Sequence, residues 1–470
     1  MAHYFVAAFT ASVLGGVYLK FWKFKYWSRL GLQALEGSLP FGFANRFIFG
    51  SAVVSDEFKT LYETFKSEER RHGGAYIWST PVYIPIDPVI VKTVLEHKTF
   101  AQRNIYCNST KDALFNKLYY SGHEQAAPCR ETLASIFSKQ NQELYFRSLE
   151  QVLDGSLDVS GTEDVTKLLT TLNGTIVKAL FLNNTIDDKL LLKNLDKLAE
   201  SQDYFATKSV LALISSSILK LFFARISNRS AMNYFTEQIQ NTVNYKRENP
   251  GQEFVDVLMQ INDDVEVVSN IVMLILGNCK FVPSTVGFCL YELAKNEDVQ
   301  KKLRNEIMVA LEQNKGELSL ETLNSLEYLD QVVKETLRKY PTVSIVKRSN
   351  LDSFAVPSST VLISENTDVI VPVSGLHYDS EYYQNPERFD PERFNKEQIQ
   401  KIQDYTYIPY GSGTRSCVGK ELADVLLKLV VVKFVTLYQM SLPNPDSKVE
   451  FLPNCLYTRA KELKVNFQKI

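Results

Sequence analysis

The stretch Tyr407–Ala423, YIPYGSGTRSCVGKELA, holds one cysteine, Cys417, between glycine-rich turns, with Arg415 two residues before it and a helical run straight after. Gly411, Gly413 and Gly419 permit a tight loop that presents backbone N–H groups and lets a flat ligand approach. Arg415 brings a cation beside the thiol, and the helix beginning near Lys420 points its positive dipole end back toward the loop. All three features favour thiolate over thiol, and thiolate is the metal-binding form. A nucleophilic cysteine would need the same activation and a histidine base besides. None of the five histidines stands in a segment that reads as its partner, His377 included, so metal ligation is the better reading.

The rest of the chain sets the frame for that loop. With 470 residues, 45% of them hydrophobic, the protein can bury a large core, and no Gly/Ser/Pro-rich linker divides it, so one large domain is expected. A formal net charge of -2 and a pI near 6.3 give no reason to expect nucleic acid, which normally asks for a basic stripe. The six cysteines, Cys107, Cys129, Cys279, Cys289, Cys417 and Cys455, lack the short spacings of a disulfide framework or a zinc site. They read as thiols in a reducing compartment, and all but Cys417 as small buried hydrophobes.

From Tyr4 to Leu19 there is no charge, and Lys20, Lys23, Lys25 and Arg29 follow. One membrane-spanning helix needs about 20 residues and can be as short as roughly 17. A cleaved leader would carry its basic residues first, and here the order is reversed. Cations at the C-terminal end place that end in the cytoplasm, with Trp22, Tyr26 and Trp27 as expected interfacial anchors. The chain thus divides into an anchor helix (1–22), a basic linker (23–45) and a cytosolic domain (46–470). The glycosylation-type matches at Asn108, Asn173, Asn183 and Asn228 then carry no weight. A second apolar run, Ser209–Ala224, reads equally as core or as an interfacial segment that dips into lipid.

Partial alternation of apolar and polar residues predicts strands over Ala75–Pro85. Apolar residues at i, i+3, i+4 spacing predict helices through most of Pro88–Tyr340. Short strands return between Ile345 and Val373, and a last long helix runs from about Lys420 to Tyr438. The expectation is a mainly α domain with small β-sheets near its two ends.

The pattern Tyr410-x-x-Gly413-x-Arg415-x-Cys417-x-Gly419 resembles the haem-binding loop of the cytochrome P-450 (haem-thiolate monooxygenase) family, with Tyr410 where phenylalanine is usual. KETLRKYP supplies Glu335 and Arg338 three apart on one helix face, and NPERFDPERF supplies Arg393, in the order of the family's Glu-Arg-Arg triad. The likeness runs from the anchor to the C-terminus and is nearest to the insect microsomal branch that handles hormones and xenobiotics. It implies the single-domain fold of that family behind a membrane anchor, with haem b as cofactor and Cys417 as axial ligand of its iron. Gly411 and Gly413 then belong to the haem loop, and Arg130, Arg348 and Arg415 pair with the haem propionates. Near Arg130 the family's tryptophan is replaced by Ala126. Glu335, Arg338 and Arg393 become a structural charge network that locks the loop, not a catalytic one.

The family's oxygen-activating segment, Ala/Gly-Gly-x-Asp/Glu-Thr, falls on Gly277, Asn278, Cys279, Lys280 and Phe281. Both the acid and the alcohol that relay protons to iron-bound dioxygen are missing. A buried Lys280 of lowered pKa could take over the relay, Pro283 should kink the helix, and Ser284 or Thr285 could substitute a hydroxyl if the helix shifts. The resemblance implies a monooxygenase that inserts one oxygen atom into a lipophilic substrate: a xenobiotic such as an insecticide or plant toxin, or an insect hormone, steroid or terpenoid. Electrons would come from NADPH through NADPH-cytochrome reductase, with a cytochrome b-type protein as a further donor, at the cytoplasmic face of the endoplasmic reticulum membrane. The altered pair Lys280-Phe281 keeps two alternatives open: a haem-thiolate isomerase or dehydratase of an oxygenated lipid, and a non-catalytic haem- or lipid-binding membrane protein.

Overall fold

In the computed structural model the described residues are 22–35, 52–77, 80–101, 123–138, 141–182, 186–198, 228–251, 253–261, 264–453 and 457–470, with a few isolated positions between them. The expected anchor helix and the Ser209–Ala224 run lie outside them, apart from isolated positions at the end of the anchor. The strands are β1 (Ala34–Leu35), β2 (His72–Ile77), β3 (Thr80–Pro85), β4 (Gly161–Asp164), β5 (Val346–Ser349), β6 (Phe354–Ala355), β7 (Leu362–Ile363), β8 (Asp368–Val371), β9 (Tyr438–Ser441) and β10 (Lys464–Lys469). The helices that build the site are α1 (Pro88–Glu96), α2 (His123–Ile136), α3 (Val165–Phe181), α4 (Arg229–Glu248), α5 (Asp264–Lys295), α6 (Glu297–Gln313), α7 (Glu327–Lys339) and α8 (Lys420–Leu437).

The expected strands over Ala75–Pro85 form the hairpin β2–β3 at the centre of a five-stranded sheet ordered β1-β2-β3-β8-β5. Register places Val369 opposite both Tyr83 and Arg348, so β8 carries the order from the N-terminal hairpin to the strand that holds Arg348. One face of this sheet packs a core of Trp27, Phe58, Phe65, Tyr83, Ile90 and Leu376. Trp27 corrects the expectation of an interfacial anchor. It is fully buried, its indole N–H donates to the Ala75 carbonyl at 3.0 Å, and any side chain at Gly74 would collide with its ring. An aromatic residue flanked by lysines looks the same in sequence whether it meets lipid or a sheet. Trp22, five residues earlier, is 59% exposed.

The second core is helical and centres on α5, the 32-residue helix that packs against α3, α4 and α8. By length and apolar composition α5 could cross a membrane, yet most of it is buried inside the protein. The helix continues through Pro283 without interruption. A small sheet ordered β4-β10-β9 closes the C-terminal end. Its first strand, Gly161–Asp164, is polar and mostly exposed, and so carried no apolar pattern to betray it.

Helix α8 explains its own position. Leu422, Val425, Leu426, Leu429, Val430 and Phe434 bury one broad face in this core, and the helix starts directly after Gly419. The tight loop ahead of it is thereby held at the surface of the core, with Cys417 two residues before the helix cap.

Candidate functional site

Two glycines give the cysteine loop its shape. Gly411 and Gly413 adopt φ of +68° and +70°, the left-handed region that side chains disfavour. At Gly413 the backbone also presses on the end of α1, where an added Cβ would stand 2.0 Å from the Leu95 carbonyl oxygen. The chain then makes one 3-10 turn over Gly413–Arg415 and returns so that the Cys417 N–H donates to the Tyr410 carbonyl at 2.8 Å. This leaves Cys417 exposed, at the N-terminal end of α8, where the helix dipole favours a thiolate.

The structure brings two of the three expected arginines onto this loop. Arg415 is buried and its Nε donates to the Ala101 carbonyl at 2.8 Å. Arg130 reaches from α2 to the Ser416 carbonyl, next to the cysteine. Arg348 is buried on β5, where its Nη1 donates to the Lys347 carbonyl at 2.9 Å. The chain leaving β5 bonds through the Leu351 N–H to the Thr99 carbonyl, so the backbone that follows Arg348 and the side chain of Arg415 meet at one turn. An exposed sulfur at a helix N-terminus, with guanidinium groups built into the walls around it, is the donor set a haem requires: a thiolate for iron and cations for two carboxylates. The residues present fit that group.

The charge network beneath the loop is complete. Arg338 grips Glu335 with two bonds, Nε to Oε2 at 2.7 Å and Nη2 to Oε1 at 2.9 Å, and both side chains are fully buried. Arg393 joins through Nε to Oε1 at 3.4 Å, and the Asp390 N–H adds a third donor to the same oxygen. The remaining guanidinium protons of Arg338 go to the carbonyls of His377 and Pro386. His377, passed over in sequence as a catalytic base, is part of this lock. Its Nε2 accepts the Ile408 N–H at 3.0 Å, so the proton sits on Nδ1, 3.1 Å from the Arg338 carbonyl. Burial, reinforced by the neighbouring Arg338 cation, holds its pKa down to about 3. Tyr407 stacks on the imidazole, which ties α7 to the start of the cysteine loop.

The middle of α5 differs from expectation. Phe281 is half-buried with its ring centroid 6.2 Å from that of Tyr410, so an apolar ring faces the cysteine loop where the family pattern has an alcohol. The proposed substitutes are already committed. Ser284 donates to the Thr458 carbonyl at 2.6 Å, and Thr285 pairs with the Thr342 hydroxyl at 3.1 Å, both in the buried interior. The hydroxyls expected to stand in for the missing alcohol instead fasten α5 to the C-terminal segment at Thr458 and to the chain between α7 and β5 at Thr342. The side chains of Lys280 and Cys279 lie outside what is described. Gly277 borders open space, since a Cβ there would meet nothing within 4 Å.

Sequence reasoning missed Asp424, whose carboxylate accepts the Tyr410 hydroxyl at 2.6 Å. The signal was available, because a tyrosine in place of phenylalanine in a packed loop calls for an acceptor nearby. It also missed the turn ending at Ala101, a backbone group that no motif marks.

Comparison with known proteins agrees with this geometry. The model of the cytochrome P-450 family matches residues 40–467. Probable cytochrome P-450 6a13 of Drosophila melanogaster is 25% identical over 463 residues, covering 93% of this chain and 92% of that one. Cytochrome P-450 6A1 of Musca domestica is 27% identical over 506 residues, covering 98% and 97%. Cytochrome P-450 6k1 of Blattella germanica is 24% identical, covering 94% and 91%. With the family pattern matched over nearly its whole length, and with the thiolate loop and its charge lock in place, the chain belongs to the cytochrome P-450 family.

Proposed function

We propose that this chain inserts one oxygen atom of dioxygen into a lipophilic small molecule, a xenobiotic or an insect hormone, steroid or terpenoid, at the cytoplasmic face of the endoplasmic reticulum membrane. Family membership makes it a monooxygenase oxidoreductase that carries haem iron and draws electrons from NADPH through a reductase. The second oxygen atom leaves as water, with two electrons from NADPH and two protons. When bound, the haem supplies dioxygen activation. In our reading Cys417 would supply the thiolate that holds the iron, Arg130, Arg348 and Arg415 would hold the carboxylates, and Glu335, Arg338 and Arg393 would keep the loop in shape. NADPH-cytochrome reductase is the expected electron donor, with a cytochrome b-type protein as a second one.

The observation that carries this reading is the setting of Cys417: exposed, at a helix N-terminus, in a tight loop shaped by Gly411 and Gly413 and fixed by Arg415. Incubation of the membrane protein with reductase, NADPH and isotopically labelled dioxygen tests it. Label in the product, formed only when both NADPH and reductase are present, supports insertion.

One observation favours a second reading. Phe281 facing the loop, with Ser284 and Thr285 bonded elsewhere, suits an isomerase or dehydratase of an already oxygenated lipid, which needs no proton delivery to dioxygen. Turnover without NADPH and without label would establish that reading in place of the first.

A further inference from the structure

Tyr410, the one residue that departs from the family's loop pattern, makes a bond that phenylalanine cannot. Its hydroxyl donates to Asp424 Oδ1 at 2.6 Å, while its own carbonyl accepts the Cys417 N–H at 2.8 Å. Tyr410 stands seven residues before the cysteine and Asp424 seven after it, in the second turn of α8. The side-chain bond therefore joins the segment that enters the cysteine loop to the helix that leaves it.

We propose that Tyr410 and Asp424 are positioning residues, which hold the Cys417 sulfur in the geometry that keeps it bound to iron as thiolate. This rests on the reading of Cys417 as the axial ligand. A phenol hydroxyl bonded to a carboxylate is a charge-assisted contact, shorter and roughly twice as strong as a neutral one. It closes a loop whose glycines otherwise leave it freedom to open. Burial pushes the Asp424 carboxyl above its ordinary value, and the Tyr410 hydroxyl, followed by Lys420 and Lys428, offsets only part of that rise. Across from it on α7, Asp330 holds Lys428 at 2.8 Å and Lys334 at 2.6 Å, which fixes one of those cations beside Asp424. The ring of Phe281 lies tilted against the phenol, with centroids 6.2 Å apart.

The test uses the purified holoprotein and follows its reduced carbon monoxide complex, well below the unfolding temperature. A thiolate ligand gives the long-wavelength Soret band, and its loss to a short-wavelength band reports release or protonation of the sulfur. Tyr410→Phe, which restores the family's residue and keeps the ring, is expected to speed this conversion about tenfold, in line with loss of a hydrogen bond to a charged group. Asp424→Leu should match it. Asp424→Asn, which still offers an oxygen to the phenol, should recover part of the loss. Wild-type conversion rates in all three variants would overturn the proposal, as would faster conversion only in step with a lowered melting temperature. A wild type without the long-wavelength band would overturn the Cys417 reading instead. Should Tyr410→Phe fail to fold, the two Asp424 variants decide the matter between them.

Discussion

Around Cys417 and along the middle of α5 the chain treats its polar groups in opposite ways. Beside the cysteine, backbone and side-chain bonds converge on the placement of one loop: Arg415 on Ala101, Arg130 on Ser416, Tyr410 on Asp424, and the buried Glu335–Arg338 pair beneath. Along α5 the hydroxyls of Ser284 and Thr285 turn toward Thr458 and Thr342, and Phe281 presents a ring to the cysteine loop. The comparison separates two requirements of this chemistry. Holding a thiolate depends on a fixed scaffold, which this chain keeps and even reinforces. Delivering protons depends on exchangeable groups, and on α5 a ring stands at Phe281 while the hydroxyls of Ser284 and Thr285 are bonded elsewhere.

The scaffold side breaks most completely at its centre. Cys417→Ser replaces the thiolate with a hydroxyl that stays protonated, and the long-wavelength band of the reduced carbon monoxide complex should vanish together with all turnover. A persistent band would remove the site assignment altogether. Next in size is the charge lock. Arg338→Ala leaves the Glu335 carboxylate buried without its two-bonded partner, which costs about 3–5 kcal/mol. Purified protein should then contain little haem and melt well below wild type. Normal haem content would show that the loop stands without the lock.

His377 gives the same lock a pH dependence. An ordinary imidazole titrates near 6.5, whereas in the folded chain this one is held at about 3 by burial and by Arg338. Between those values the unfolded chain binds a proton that the folded chain refuses. The contribution to stability is whole above pH 6.5 and declines as pH falls toward 3, by about 1.4 kcal/mol per unit. The melting temperature of the wild type should therefore drop from pH 7 to pH 5 by more than that of His377→Gln. Parallel curves for the two proteins would place the acid sensitivity elsewhere, with His72 the next group to examine, since its pKa is also lowered by burial.

Which parts were legible in the sequence follows from the range of the forces involved. The cysteine loop, the hairpin β2–β3 and helix α8 are set by glycine conformations and by periodicity within a single stretch, and the structure places all three where the spacing put them. Glu335 and Arg338 lie on one helical turn and were equally readable. Trp27 was not, because its partners at Gly74 and Ala75 lie far along the chain. The fates of Ser284 and Thr285 were hidden for the same reason, with partners 174 and 57 residues away. A hydroxyl in a helix is a donor whose acceptor only the tertiary fold supplies. The cation positions fell between these cases: Arg415 stands inside the motif, but that Arg130 crosses from α2 to the cysteine loop rests on a contact of 286 residues' separation.

The smallest expected effect bears on the α5 side and sharpens the contrast most. If the chain oxidises its substrate despite Phe281, protons arrive by a slower route and much of the reducing power should leave as peroxide or superoxide. The double change Lys280→Glu with Phe281→Thr restores a carboxylate and a hydroxyl at adjacent positions and removes the ring that packs on Tyr410. Product formed per NADPH should rise up to about tenfold, the equivalent of about 1.4 kcal/mol off the proton-transfer barrier and within reach of one well-placed acid-base group. The rise should come without loss of the long-wavelength Soret band, because the Tyr410–Asp424 bond and the Cys417 N–H bond to the Tyr410 carbonyl both remain. Higher coupling with the band retained would show that proton delivery and thiolate support are independent in this chain. Lost activity toward a substrate that the wild type converts would mean that the ring at Phe281 serves the reaction itself, and the isomerase reading would then take precedence over oxygen insertion.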